Sequence, residues 1–210
     1  MMTIPALFAS SSGNTVYAHD TFFHGTKVGE GPESDYKKTS SKLRDTVRKP
    51  IVVVDSNSIN MGSFDESVMK KMAVKGCDIW FMTYIENVDD VFDAFNTVAE
   101  NILAPLHTIS DNHEFKDILS VSDSVIPTIF VNKGKGYDFG GRTENPLDLL
   151  EKTINSGYCR ACIVDTDNSI SGDVWEKISD DHPASLPFVS KTNNDVYFSD
   201  FRNIIIPQDS

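Results

Sequence analysis

The sequence predicts an α/β protein, a TIM-type (β/α)8 barrel that is built from two half-barrel repeats and shortened in its last unit. Three observations predict this fold. Short apolar segments alternate with amphipathic segments along the chain, as in a parallel sheet that is covered by helices. Two motifs of the first half return in the same order in the second half. The length of 210 residues suits a single barrel domain over residues 1–210.

The predicted strands are short runs of Val, Ile, Leu and Phe. A strand that is buried on both faces is apolar almost throughout, whereas a half-buried strand alternates between apolar and polar residues. The runs therefore indicate the central parallel sheet of an α/β protein. In chain order the predicted strands are Ile4–Ala9, Ile51–Asp55, Asp78–Thr83, Ile102–His107, Val125–Asn132, Cys159–Asp165, Leu186–Ser190 and Asn203–Ile206.

Helices are predicted in most gaps between these strands, because apolar residues recur there at helical spacing. Asn87, Ser63-x-Asp65 and Asn145-Pro146 are suitable helix starts, and Gly157 is a suitable helix end. The predicted apolar faces are formed by Phe64, Val68 and Met72, by Val91, Phe95 and Val98, and by Leu147, Leu150 and Ile154.

An internal repeat favours the closed barrel over an open sheet. The motif of residues 4–8, Ile-Pro-Ala-Leu-Phe, returns at residues 126–130 as Ile-Pro-Thr-Ile-Phe. The motif of residues 54–59, Val-Asp-Ser-Asn-Ser-Ile, returns in similar form at residues 164–170. Both motifs lie at predicted strands or strand ends. An open doubly wound sheet, the alternative, does not need such a restart halfway along the chain.

Two connections depart from the regular alternation of strands and helices. Residues 10–49 form the first connection, which is rich in Ser, Gly, Thr and charge and is long for a plain loop. We expect this connection to be functional or mobile. The space between Ser190 and Asn203 is too short for a crossover helix with its loops, so the last unit is expected to be clipped.

Composition limits the partners and the location of the protein. With 31 acidic and 19 basic side chains the net charge is −12, which disfavours nucleic-acid binding and anionic membranes. The three cysteines predict a reducing, cytoplasmic location. Cys159 and Cys162 lie three apart in a predicted strand, on opposite faces, so they do not indicate a metal or redox pair. No metal and no cofactor are expected.

Four segments in this order resemble the histidine-biosynthesis barrels, in particular their archaeal relatives. Residues 4–7 resemble the family's first strand, and residues 13–18 resemble the hairpin that follows it. Residues 35–43 resemble a Tyr-Lys-Pro and Ser-x-Leu stretch, and residues 54–59 align with a second-strand Asp-Leu-Asp. The family (HisA/HisF-like) comprises the ribotide isomerase and the cyclase subunit of imidazole glycerol phosphate synthase. The resemblance implies a (β/α)8 barrel with a two-fold repeat.

The chain departs from this family at the positions that carry its chemistry. The resemblance implies an aspartate at the end of strand one and another at the end of strand five, where this chain has Phe8 and Phe130. A phenyl ring cannot transfer a proton, so the acid–base mechanism cannot run from these positions. Glycine pairs that bind phosphate in the family correspond here to Thr83-Tyr84 and Ser190-Lys191. Glu86 would also repel a phosphate group.

The remaining polar residues at the carboxyl ends of the predicted strands form a candidate site, because barrel proteins carry function there. The candidate catalytic residues are His107 with Asp55 or Asp165. An imidazole that titrates near neutral pH and a carboxylate can transfer protons to and from a substrate. The candidate ligand-binding residues are Asn57, Thr83, Asn132, Lys133, Asp167 and Lys191.

Each candidate also has a structural interpretation. The simplest interpretation of Asp55 and Asp165 is that they are strand-end caps, which accept hydrogen bonds from loop N–H groups. A single histidine beside a loop is more often a structural residue than a general base, and this holds for His107. Lys133 and Lys191 either bind an anion together or are solvated loop residues.

Two functions remain open from the sequence. The first is a non-catalytic pseudoenzyme that binds a ligand or a partner, which the lost aspartates, the lost glycines and the clipped last unit favour. The second is a diverged isomerase or lyase that uses the candidate catalytic residues on a small anionic metabolite. Ribotide isomerase activity itself is not expected. A barrel mouth that is filled by Phe8, Phe130 and Tyr84 would oppose the second function.

Overall fold

Eight parallel strands close into a barrel in a computed structural model of the chain. The structure describes residues 2–12, 15–19, 23–28, 33–35, 50–72, 78–97, 99–189 and 198–207. Each strand pairs with the next one along the chain, and the last pairs with the first. The strands are β1 Met2–Ser12, β2 Ile51–Asp55, β3 Ile79–Met82, β4 Ala99–Pro105, β5 Val125–Asn132, β6 Cys162–Asp165, β7 Leu186–Val189 and β8 Asn203–Pro207.

The closed barrel confirms the predicted fold class and all of the predicted strands. The two-fold repeat remains a prediction. The predicted sixth strand was too long at its start, since β6 begins at Cys162 and Cys159 is exposed. Arg160, just before this strand, lies over the ring of Trp80 with 5.2 Å between its guanidinium carbon and the ring centroid. This contact joins the approach to β6 to β3, which is not one of the two strands that pair with β6.

Helices lie between successive strands from β2 to β7 and cover the outside of the barrel. Asn87, Asp111 and Asn145 cap three of them, because each side-chain oxygen accepts hydrogen bonds from N–H groups of the first turn. The described helices are α1 Ser56–Met61, α2 Ser67–Met72, α3 Val88–Phe95, α4 Asn112–Val121, α5 Pro146–Asn155 and α6 Gly172–Asp181. Within the described residues, none of the helices has the length and apolar character that a membrane crossing requires.

Alternating side chains divide the core into two layers, as the pleat of each strand requires. Val52 and Val54 of β2 face the barrel interior, whereas Ile51 and Val53 pack in the layer between strands and helices. Val164 and Ile163 divide in the same way on β6. Because both layers are apolar, the strands are buried on both faces and read as continuous apolar runs. This explains why their positions could be predicted from the sequence.

The described parts of the first connection form short strands around the barrel mouth. Thr15–His19 pairs antiparallel with the second half of β1, and Glu33–Asp35 pairs with Thr15–His19. A small hairpin joins Phe23–His24 to Lys27–Val28. Asn60 of α1 holds this hairpin, since its amide exchanges hydrogen bonds of 2.9 and 3.1 Å with the backbone of Val28. Apart from the end of β1, the other residues of the 10–49 segment lie outside the described residues.

The described part of the last connection contains no α-helix, and its two aromatic residues form a cluster with Trp175 of α6. The ring of Trp175 lies 5.3 Å from the ring of Phe198 and 6.0 Å from that of Phe201. All three side chains are buried. Residues 190–197 of this connection lie outside the described residues. The cluster covers the last strands with few residues, in line with the expected short final unit.

The glycine-rich segment after β5 forms a β-hairpin. Lys135–Tyr137 pairs with the end of β5 and with Thr143–Glu144. The turn places Lys133 and Gly134 at φ values of 52° and 70°, as a two-residue hairpin turn requires. At Gly136 a Cβ atom would lie 2.7 Å from Leu149 Cδ1.

Replacing Gly136 by Ala is expected to lower the free energy of unfolding by about 1–3 kcal/mol, because the added methyl group would overpack against Leu149 and Ile129. Chemical unfolding at equilibrium measures this change. Lys135→Ala, at the exposed neighbouring position, is the control and should stay within about 0.5 kcal/mol of wild type. Equal effects of the two substitutions would contradict the tight packing at Gly136.

Candidate functional site

The mouth of the barrel is filled by aromatic side chains. Phe8 of β1, Phe130 of β5 and Phe188 of β7 point inward, and each is at most 1% exposed. Phe23, from the hairpin of the first connection, inserts among them. Its ring centroid lies 5.3 Å from that of Phe8, 4.7 Å from that of Phe130 and 5.7 Å from that of Phe188. These edge-to-face contacts form a dry apolar cluster in place of an open cleft.

His107 lies at the edge of this aromatic cluster, in a 3-10 turn after β4. Its ring centroid is 5.0 Å from the ring of Phe130 and 6.3 Å from the ring of Tyr137. The Nδ1 atom is buried and has no hydrogen-bond partner within the part of the chain that the structure describes. Burial lowers the pKa of His107 to about 4, so the imidazole is neutral at pH 7. Neither Asp55 nor Asp165 hydrogen-bonds to this ring.

Asp55 faces the helix layer and not the barrel interior. Its carboxylate accepts hydrogen bonds from the Ser58 N–H at 3.2 Å and the Ser58 hydroxyl at 2.7 Å, and it caps α1. The Thr83 hydroxyl donates to the same carboxylate at 3.3 Å. Burial raises the pKa of Asp55 to about 6. This geometry agrees with the strand-end cap that the sequence favours.

Asn57 of α1 ties the end of β1 to the helix layer. Its Oδ1 accepts from the Ser11 N–H, and its amide donates to the Ser11 carbonyl, both at 3.0 Å. The Ser11 hydroxyl in turn lies 2.6 Å from that of Ser67, at the start of α2. The amide of Asn57 is thus used to hold two segments of the chain together.

A second polar group lies at the ends of β5 and β6. The Asn132 amide donates to the Thr166 hydroxyl at 3.0 Å, and the Lys133 N–H donates to Asp167 at 2.8 Å. Asp165 accepts from the Ser169 and Ile170 N–H groups at 2.9 and 3.1 Å. Burial also raises the pKa of Asp165.

The predicted site residues therefore fall into separate groups. Asp55 ends β2, Asn57 lies in α1 and Thr83 follows β3. Within the described residues no hydrogen bond joins them to the β5–β6 group. The side chain of Lys133 is exposed. Lys191, which the sequence paired with Lys133, lies outside the described residues.

No known protein family matches the chain, and a comparison with curated proteins finds no match. Function is therefore argued from the geometry of the barrel mouth and of the surrounding loops.

Sequence reasoning missed Phe23, Phe188 and Tyr137 as residues of the mouth. Phe188 lies in a predicted strand, but its inward direction depends on the register of the barrel. Phe23 lies in a polar connection, and a Phe-Phe pair there is the one sequence signal that could have indicated burial. Tyr137 belongs to the hairpin that the sequence did not predict.

One surface group could hold a metal ion. His113, Glu114 and Asp117 of α4 place one ligand atom each within 4.8 Å of one another. The His113 side chain is 82% exposed, and its Nδ1 lies 3.1 Å from an Asp117 carboxylate oxygen. The group lies on the first turns of α4, and none of its residues belongs to the aromatic cluster.

Replacing Asp55 by Asn tests the buried carboxyl through the pH dependence of stability. Because its pKa rises from 3.8 to about 6 on folding, the folded protein retains a proton that the unfolded chain releases. The stability from this proton is present below about pH 4 and is lost as pH rises through about 6. We expect the free energy of unfolding of wild type to fall by up to about 3 kcal/mol over this pH range. This fall should be absent in Asp55→Asn.

Chemical unfolding of both proteins between pH 4 and 7 measures this difference. Asp111→Asn is the control, because Asp111 also caps a helix but is exposed and has a lowered pKa, from its hydrogen bonds to the Glu114 and His113 N–H groups. The same pH dependence in Asp55→Asn and in wild type would contradict the raised pKa.

Proposed function

We propose that this chain is a HisA/HisF-like barrel protein without catalytic activity, a pseudoenzyme that binds a ligand or a partner in the cytoplasm. One observation carries the proposal: the ring of Phe23 is buried among Phe8, Phe130 and Phe188, where a barrel enzyme would hold its substrate. A substrate could enter this mouth only by displacing the hairpin that carries Phe23.

The residues that fill the mouth also support the loss of acid–base chemistry. Phe8 and Phe130 stand where the resemblance implies the two catalytic aspartates. Both rings are buried and in contact with other rings, so they contribute apolar packing. Neither ring can donate or accept a proton. A protein that kept this reaction would need two other groups at the same depth in the mouth.

The loop after β3 supports the loss of phosphate binding. A phosphate is held by free backbone N–H groups in such loops. Here the Ile85 N–H donates to the Thr108 hydroxyl at 3.4 Å, and the Glu86 N–H donates to Asp90 at 2.8 Å. Glu86 itself is exposed at this loop. The donors are thus already used, and the two carboxylates oppose an anion.

The alternative is a diverged isomerase or lyase that uses His107 with Asp55 or Asp165. An active general base needs a partner that orients it and a pKa near the working pH. His107 has a pKa of about 4 and no hydrogen bond to either aspartate. The contacts of both aspartates are to loop N–H groups and hydroxyls. The geometry therefore favours the non-catalytic function.

Turnover of the family's ribotide substrate tests the proposal directly. We expect the purified wild-type protein to form no isomerised or cyclised product above the rate without protein. Product formation at an enzyme-like rate would contradict the proposal. A thermal-shift screen of phosphorylated and carboxylated metabolites tests binding, since a ligand at 100 times its Kd stabilises a protein by about 2.7 kcal/mol.

Phe23→Ala tests the filled mouth by stability. We expect the free energy of unfolding to fall by about 3–5 kcal/mol, because a buried ring is removed from a packed cluster. Phe92→Ala is the matched control, since Phe92 of α3 is 52% exposed, and its effect should be within about 1 kcal/mol. Equal, small effects of both substitutions would show that Phe23 does not fill the mouth.

A further inference from the structure

A cavity of about 470 Å³ lies on the outside of the barrel, between α4, α5 and the turn Phe139–Gly141. Its volume is within the range of small-molecule sites, about 300–1,000 Å³. The cavity is separate from the barrel mouth, because its apolar residues belong to the layer between strands and helices and not to the interior cluster. Binding in this cavity therefore does not depend on the packing around Phe23.

The inner wall of this outer cavity is apolar and partly aromatic. Phe115 of α4 and Phe139 of the turn place their ring centroids 5.3 Å apart. Phe115 also stacks on Tyr158 at 4.6 Å, so its ring is fixed from behind. Phe139 is only partly buried. Leu106, Leu119 and Leu149 complete the apolar part of the wall.

The rim of the outer cavity carries two lysines, one from each helix. Lys116 of α4 is exposed and has no ion pair with any described residue. Lys152 of α5 pairs with Glu144, and its hydrogen bond to Glu144 raises its pKa, so it stays charged. Asp138 also lines the cavity, and Arg142 Nη2 lies 3.9 Å from its carboxylate.

These charges distinguish the outer cavity from the rest of an acidic protein. The net charge of the chain is −12, yet the ammonium group of Lys116 stands at this rim without an ion pair to any described residue. A neighbouring cavity of about 560 Å³ between α3 and α4 is lined instead by Asp89, Glu114 and Asp117. The two lysines favour an anion at the rim of the first cavity, whereas the three carboxylates of the second repel one.

We infer that the outer cavity binds a small amphipathic anion, a molecule with a planar apolar body and one carboxylate, sulfonate or phosphate group. The apolar body contacts Phe115 and Phe139, and the anionic group faces Lys116 and Lys152. The inference goes beyond the proposed function, because it does not depend on whether the barrel mouth is catalytic.

Two fluorescent probes that differ in charge test the inference on the full chain. 8-Anilinonaphthalene-1-sulfonate has a planar aromatic body with a sulfonate, and N-phenyl-1-naphthylamine is its neutral counterpart. We expect the double variant Lys116→Gln, Lys152→Gln to weaken binding of the sulfonate probe at least tenfold and binding of the neutral probe less than twofold. We expect Phe139→Ala to weaken binding of both probes at least fivefold.

Lys70→Gln is the matched control, because Lys70 is an exposed helix lysine paired with Glu66, as Lys152 is with Glu144. It should change neither affinity. The inference is wrong if wild type does not bind the sulfonate probe, if the double variant binds it as wild type does, or if Lys70→Gln weakens binding equally. Circular dichroism of each variant confirms that it is folded. None of these outcomes bears on the Phe23→Ala test of the filled mouth.

Discussion

The barrel mouth is filled because the ring of Phe23 is buried between Phe8, Phe130 and Phe188. Strands β1, β5 and β7 bring three rings to the same end of the barrel, and the first connection supplies the fourth. The cluster excludes water from the mouth. Polar groups at the strand ends must then find partners elsewhere, since an unpaired polar group in a dry cluster is costly.

The polar residues at the strand ends satisfy this requirement by forming hydrogen bonds with the loops that follow the strands. Asp55 and Asp165 lie on outward-facing positions and accept hydrogen bonds from the first residues of the following loop or helix. Burial raises the pKa of both carboxyls. His107 is the exception, because its buried Nδ1 has no hydrogen-bond partner among the described residues and its ring packs against Phe130 and Tyr137. The two aspartates that the sequence offered as catalytic candidates thus hold the loops in place.

Much of the fold could be predicted because its determinants are local. The strands are apolar on both faces, and the caps at Asn87 and Asn145 act within one helical turn. The predicted start near Ser63 was early, since α2 begins at Ser67, whose N–H and hydroxyl bind the Asp65 carboxylate. The filling of the mouth could not be predicted in full, because Phe23 reaches it through a long connection and meets Phe130 and Phe188, which are distant in sequence.

The central claim is that the barrel mouth is filled in solution by the ring of Phe23. Nuclear Overhauser effects between ring protons of Phe23 and of Phe130 test it most directly, in protein with isotope-labelled phenylalanine, because the ring centroids lie 4.7 Å apart. Strong cross-peaks that disappear in Phe23→Leu are the predicted result. A Phe23 ring without such cross-peaks, with the chemical shifts of a solvated side chain, would contradict the claim and reopen the mouth as a substrate site.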